Sequence, residues 1–286
     1  RDRLNFADMT VDGSFATGGA VSAVFVMLGV NPYLCLVFAM LAGLLCGGIT
    51  GFLNTKLKIP AILSGILTMI ALYSVNIRIM GKPNVSLLGV DTVVTKIAAF
   101  LPGENQIVAA LLFGLVVTAV LVGAMYWFFG TEIGCAVRAT GNNETMVRAF
   151  GVNTSTTTVL ALMLSNGLAA LSGAMVSQSQ GYADVQMGVG TIVIGLASVI
   201  IGEVLLRKRT NFAVKLLSVV VGSVIYRAII ALVLWLGLKS EDLKLLTAVV
   251  VAFALSVPAL KDRFTRGSAR PGNGPEDEEE EEARHA

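Results

Sequence analysis

Histidine is almost missing from this chain: the one residue of that type, His285, lies at the far end of 286 residues. A histidine-based catalytic triad and a His/Cys metal cluster are both excluded on that ground. The three cysteines, Cys35, Cys46 and Cys135, are odd in number and lack metal-ligand spacing. Cys35 and Cys46 fall inside apolar runs and read as packing residues. Charge is scarce too, at 14% of residues, which a soluble domain rarely tolerates, and the net charge of +2 points to no nucleic-acid partner. There is no G-x-x-x-x-G-K-[ST] element, so ATP hydrolysis by a P-loop in this chain is excluded. Gly188 and Gly190, in M-G-V-G-T, lack the lysine that motif requires. No signal peptide is visible. The chain opens at Arg1-Asp2-Arg3 directly against a polar motif, and at least one helix is expected ahead of it in the full gene product.

What is abundant is apolar. Hydrophobic residues make up 55% and glycine contributes 30 positions, with mean hydropathy +0.78. Small residues let helix backbones approach in lipid, so the composition indicates an all-α, polytopic transmembrane bundle. The apolar runs are long and continuous, unlike the alternating segments of about 10 residues in a membrane barrel. A helical span needs about 20 apolar residues. Eight segments qualify: Ser14–Val30, Leu34–Leu53, Ile59–Met80, Gln106–Phe129, Thr156–Val176, Met187–Leu206, Phe212–Leu236 and Leu243–Leu260. The first is the shortest and rich in glycine. Residues 1–262 form the transmembrane domain, and 263–286 form an acidic tail whose run Glu276–Glu282 repels itself. The long connection Gly81–Asn105 has an apolar middle that suits a short interfacial helix.

One stretch breaks the apolar pattern at the centre. Gly130–Asn153 carries Glu132, Arg138, Glu144 and Arg148 and is too polar for the bilayer core. Ala136–Thr140 and Glu144–Phe150 have helix-forming composition, separated by Gly141-Asn142-Asn143 and closed by Gly151. The expectation is two short helices at the membrane surface, with a coupling loop over about 130–155. Lys/Arg placement orients the chain. With this island in the cytoplasm, Lys56, Lys58, Arg207, Lys208, Arg209 and Lys261 also fall inside, and both ends of the sequence are cytoplasmic.

Polar groups inside spans are costly and usually face a cavity or a neighbouring helix. Arg227 lies near the centre of its span, where a bond to a carboxylate such as Asp8, Asp12 or Glu203 and a place along a solute pathway are both open. Asn166 is mid-span, Asn76 and Arg78 lie near the outer surface, and Gln178 ends its helix at the outer face. Asn5, Asp8 and Asp12 precede the first span as either gate or helix cap, with Asp12 or Ser14 as the capping residue. Glu203 lies one turn from Arg207, as in a local ion pair. An internal echo, Phe6–Val11 against Tyr182–Met187, falls on opposite faces in this topology, as inverted repeats do.

The stretches L-N-F-A-D-M-T-V-D-G-S-F-A-T-G-G-A-V, Lys58–Gly81, Gly134–Asn153, Y-R-A-I-I-A-L and D-L-K-L-L-T-A together resemble permease subunits of bacterial ATP-binding-cassette importers. The branch is the one containing the branched-chain amino acid and ribose permeases, and within it the tryptophan/tyrosine permeases. The resemblance runs from Arg3 to about Leu260; the absent leading helix and the acidic tail depart from the pattern. It implies that Ala139–Asn153 docks on a cytoplasmic ATPase subunit, with Arg138, Gly141, Asn142, Asn143, Glu144, Arg148 and Gly151 as the coupling residues and with Glu144 and Arg148 making the charged contacts. It implies a second permease subunit as a homodimer partner, an external solute-binding protein, surrounding membrane lipid, and a site in the bacterial cytoplasmic membrane. ATP and Mg belong to the ATPase, with no cofactor in this chain. The implied solute is an amino acid, with an aromatic one favoured. The competing readings are a secondary transporter or channel working without ATP, an intramembrane enzyme, which lacks paired carboxylates or a metal site, and a structural membrane subunit.

Overall fold

Backbone in lipid must satisfy its own hydrogen bonds, so long apolar runs become helices. The computed structural model, which describes residues 8–100, 105–205, 212–235 and 249, has that character. The described elements are α1 (Thr10–Met27), α2 (Pro32–Thr55), α3 (Ala61–Met80), β1 (Asn84–Ser86), α4 (Val93–Ala98), α5 (Gln106–Gly130), α6 (Glu132–Asn142), α7 (Glu144–Ala149), α8 (Thr154–Gln180), β2 (Tyr182–Asp184), α9 (Thr191–Leu205) and α10 (Phe212–Trp235). They divide into a unit ending at Val193 and a second beginning at Ile194.

In the first unit α8 is the axis. Its 27 residues make a rod about 40 Å long, and both α1 and α2 pack along it, with α3 against α1. Glycine makes the α1–α8 approach possible. A Cβ on Gly18 would overlap the Ala170 carbonyl, and one on Gly173 would overlap the Phe15 carbonyl. Two backbones in contact gain dispersion along their whole length, which is how helices associate where lipid is as apolar as leucine. By contrast α5 buries only Ala109 and exposes Ile107, Leu111 and Leu115.

One end of this unit is closed by a two-stranded antiparallel sheet pairing Asn84 with Asp184, Val85 with Ala183 and Ser86 with Tyr182. It covers a cluster that includes Ala20, Val26, Cys35, Met80 and Val85. The short helix expected between Gly81 and Asn105 is α4, started by a capping box between Thr92 and Thr95. The opposite end carries the α2–α3 connection, tied by the Asn54 amide donating to the Ile59 carbonyl at 2.9 Å, together with α6 and α7.

Six described helices are long and apolar enough to cross a membrane: α1, α2, α3, α5, α8 and α10. Two differences from the expected spans have physical causes. α1 begins at Thr10, earlier than Ser14, because an Asp8 carboxylate oxygen accepts the Thr10 N–H at 3.0 Å. Asp12 and Ser14 therefore lie inside the helix and do not cap it. The segment expected from Met187 is turn until Gly190, which sits at φ +88°, so α9 is a shorter apolar helix of 15 residues. The segment Leu243–Leu260 lies outside the described residues, as does the acidic tail.

The polar island forms two short helices, but Gly141 and Asn142 do not separate them. Both belong to α6, and the break is the single extended residue Asn143, at φ −156°. A glycine in a helix costs only about 1 kcal/mol. Asn143 ends α6 because its side chain starts the next helix, accepting the Met146 N–H at 3.0 Å.

In the second unit α9 and α10 meet at glycines: a Cβ on Gly202 would overlap the Ser218 carbonyl, and one on Gly222 the Ser198 carbonyl. Tyr226 is buried while its neighbour Arg227 is on the exposed face of α10.

Candidate functional site

Polar groups gather in two places in the first unit. The first is a buried seam at the junction of α1, α2, α3 and α8. Asn166, fully buried in mid-α8, accepts from the Ser14 hydroxyl at 2.7 Å and donates to the Asp8 carboxylate at 2.6 Å and to the Leu162 carbonyl at 2.9 Å. A hydroxyl chain continues across the helices. Thr10 and Thr50 are 2.8 Å apart, Thr50 donates to Thr68 at 3.0 Å, and Thr68 donates to the Ser64 carbonyl at 3.0 Å. With one proton per hydroxyl, the chain closes when Thr10 donates to Thr50. Each such bond contributes about 0.6–2 kcal/mol in lipid, and leaving one broken costs more.

Asp12 does unexpected work above this seam. Its carboxylate accepts from the Gly190 N–H at 2.9 Å, the Ile192 N–H at 3.0 Å and the Thr191 hydroxyl at 2.8 Å. A side chain of α1 thus caps the start of α9, where unpaired N–H groups and the helix dipole favour an anion. Gln178 ends α8 in a similar junction. Its amide donates to the Ser22 hydroxyl at 2.9 Å and the Pro32 carbonyl at 3.2 Å, and accepts from the Val93 N–H at 3.0 Å. This joins α8 to α1, α2 and α4, and Gln178 is buried rather than lining an open entry.

The second gathering is the surface knob α6–α7. It is braced on the first turns of α8: the Thr140 and Thr157 hydroxyls are 2.9 Å apart, and Arg148 donates to Thr154 at 3.1 Å. Arg148 also pairs with Glu144 at 2.6 Å, and the Thr154 hydroxyl donates to the same Glu144 oxygen at 3.1 Å. Val147 is buried beneath. Arg138, Gly141, Asn142, Asn143, Arg148 and Gly151 are exposed, and Glu144 is half-buried. Two large apolar side chains stand out beside them, Met146 at 55% and Phe150 at 74% exposure.

Between knob and seam lies a cavity of about 550 Å³ whose walls include Asp8, Lys58, Thr140, Glu144, Arg148 and Ser165. Lys58, on the α2–α3 connection, and the knob therefore share one end of the unit. A smaller cavity of about 290 Å³ is lined by Asp12, Tyr73, Asn76 and apolar residues of α1, α3 and the turn after β2.

The sequence candidates are thus spread over several environments. Asp8 and Asn166 are bonded to each other, Asp12 is committed to α9, and Asn76 is buried on the smaller cavity. Arg78 is exposed near the end of α3. Arg227 is exposed on α10. Of the carboxylates expected for it, Asp8 is held by Asn166 and Thr10, and Asp12 by the first turn of α9. Glu203 is exposed, and its expected partner Arg207 lies outside the described residues, as does Asn5. Of the echo, the second copy is β2 and the turn after it, and the first is described only from Asp8 onward. Sequence reading passed over Ser14 as a bonding partner, along with Thr50, Thr68, Thr154 and Thr157. The available signal was hydroxyls recurring within otherwise apolar runs, but a threonine can satisfy itself on its own helix, as Thr17 does to the Gly13 carbonyl. Among the described residues, no cluster of three His/Cys/Asp/Glu is placed to hold a metal ion.

Comparison with known proteins gives a consistent result. Residues 3–257 match the family described as branched-chain amino acid transport system / permease component. A tyrosine transport system permease protein of Clostridioides difficile is 38% identical over 93% of this chain and 87% of its own. An uncharacterised protein of Rickettsia prowazekii is 33% identical over 88% of each chain. An inner membrane ABC transporter permease protein of Escherichia coli is 31% identical over 70% of this chain and 60% of its own. No solved structure matches.

Proposed function

This chain belongs to the family of branched-chain amino acid transport system permease components, a multi-pass inner membrane protein of the ATP-binding-cassette class, and from that premise we propose that it forms the solute path of an importer driven by a separate ATPase. The observation that carries this reading is the knob. An exposed pair of short helices, presenting Met146 and Phe150 to solvent, has the form of a docking surface with apolar anchors inside a polar rim. We take the end bearing the knob, Lys56 and Lys58 as cytoplasmic, in keeping with the positive-inside rule.

The proposed mechanism is a lever. Thr140–Thr157 and Arg148–Thr154 fix the knob to the start of α8, and Asn166 fixes the middle of α8 to the start of α1. A push on the knob is then passed along α8 to α1 and changes the cavity that lies between them. ATP and Mg act on the ATPase subunit, and none of the chemistry falls to this chain. The ATPase must bind one state of the lever more tightly than the other, since a ligand without differential affinity shifts nothing. A second copy of the chain completes the path and an external binding protein delivers the solute. The likeness to the tyrosine permease favours an aromatic amino acid as that solute.

The direct test is co-purification with a P-loop ATPase, and uptake with and without ATP in proteoliposomes. Arg148→Glu is expected to insert normally, to lose the ATPase on purification and to reduce uptake at least about tenfold, because it breaks the Thr154 brace, sets two acidic side chains together and reverses a charge on the rim of the docking surface. Uptake by the chain alone without ATP would overturn the reading in favour of a secondary transporter.

A further inference from the structure

Among the described residues, the buried side-chain atoms without a hydrogen-bond partner are both polar atoms of one residue, Asn76. Asn76 is 1% exposed, on α3, and lines the cavity of about 290 Å³. Buried amides are almost always paired, and an orphaned donor and acceptor on one side chain mark a place where another molecule completes the structure. The other walls define that molecule. Met69, Ile70, Val185 and Val189 are apolar, Tyr73 adds an aromatic side chain, and Gly13 and Ala16 are small. The carboxylate of Asp12 is already held by three donors of the α9 start, so the cavity offers a neutral polar point at Asn76 within an apolar chamber.

We propose that this cavity is a pocket for a phenolic side chain, with the phenol hydroxyl paired to Asn76. A phenol O–H donates one hydrogen bond and accepts another at the same atom. It can give its proton to Asn76 Oδ1 and receive one from Nδ2, so a single group fills both vacancies. A carboxylate satisfies only the donor and an ammonium only the acceptor. The ring lies against Met69, whose sulfur packs well on aromatics. Space is sufficient: a cavity of about 150 Å³ holds benzene, and this one is larger. Val185 and Val189 follow β2, which places the pocket toward the sheet end of the unit, away from the knob, where an imported solute enters. The proposal rests on the reading that the path carries an aromatic amino acid, and it adds the discriminating residue.

The test uses the full chain in lipid nanodiscs, with empty nanodiscs as blank, and para-cresol and toluene as probes in equilibrium dialysis. Saturable binding at one site per chain is expected, with para-cresol preferred at least about tenfold, because a site built for a hydroxyl penalises the analogue lacking it. Asn76→Leu is expected to erase that preference while toluene still binds. Val189→Trp, at an exposed position on the rim, is expected to block both probes and decides the matter if Asn76→Leu fails to insert. Absence of saturable binding, as when only water fills the cavity, or a preference that survives Asn76→Leu, overturns the pocket. Uptake by the assembled transporter separates this from the broader reading. If tyrosine and phenylalanine are both transported and Asn76→Leu leaves their ratio unchanged, the pocket is refuted while the permease stands. If neither is transported by the unaltered protein, the choice of solute fails, and with it the premise of the pocket.

Discussion

The seam and the knob are both polar islands in an apolar chain, and they use polarity in opposite ways. In the seam, Asp8, Thr10, Ser14, Thr50, Thr68 and Asn166 bond to one another across four helices. In the knob, the pair Glu144–Arg148 is local, four residues apart, and Arg148 is exposed. Buried polar bonds with no alternative partner specify which helices touch. Exposed ones are worth little to stability and remain available to another molecule. The contrast makes one region a structural tie between helices and leaves the other an exposed surface, and under the proposed lever the cavity between them is the part of the unit that the knob would alter.

Three substitutions test that contrast, beginning with the largest effect. Asn166→Leu strips the Ser14 hydroxyl of its acceptor and the Asp8 carboxylate of a donor, both buried. A cost of roughly 3 kcal/mol is expected, read as a large drop in thermal stability in detergent. A stability unchanged from the parent would break the idea that the seam holds the helices. Next, exchanging the knob charges with Glu144→Arg and Arg148→Glu together keeps an internal pair, which by itself contributes only about 0.3–0.5 kcal/mol. The exchanged protein is expected to fold and insert but to remain defective in ATP-driven uptake, because the charge order a partner would meet is reversed and the Arg148–Thr154 brace is lost. Restoration of full uptake would mean the pair serves only its own helix. The smallest effect is Asp12→Asn, which removes the charge facing the α9 dipole and sets an amide N–H against a backbone N–H. A loss of about 1–2 kcal/mol is expected, with faster hydrogen exchange at Gly190 and Ile192. Unchanged exchange there would show that the cap does not hold the start of α9.

The membrane class was legible from local composition, since runs of about 20 apolar residues can do little else in lipid. The knob was legible for the complementary reason: four charges in Gly130–Asn153 cannot sit in a bilayer core. Its detailed break was misplaced, because Gly141 and Asn142 look like helix breakers while a helix tolerates one glycine, and the Asn143 cap decides the boundary. Asp12 looked like the cap of its own helix because Asp-Gly-Ser is a good local start signal. Its observed partners, Gly190–Ile192, lie 178 to 180 positions away, beyond any local pattern. Asn76 and Asn166 were flagged equally as polar residues in spans, yet the Asn166 side chain is bonded at both its polar atoms and the Asn76 side chain at neither.

Sequence alone therefore determined that this chain is a helical membrane protein with a charged handle midway along it, because burial in lipid and exposure to water are local energetic choices made segment by segment. Tertiary structure alone decided which polar residues became structural ties, which became a cap for a distant helix and which was left open on a cavity. Those outcomes depend on which helices lie side by side, and close backbone approach at positions such as Gly18 and Gly173 sets that in three dimensions.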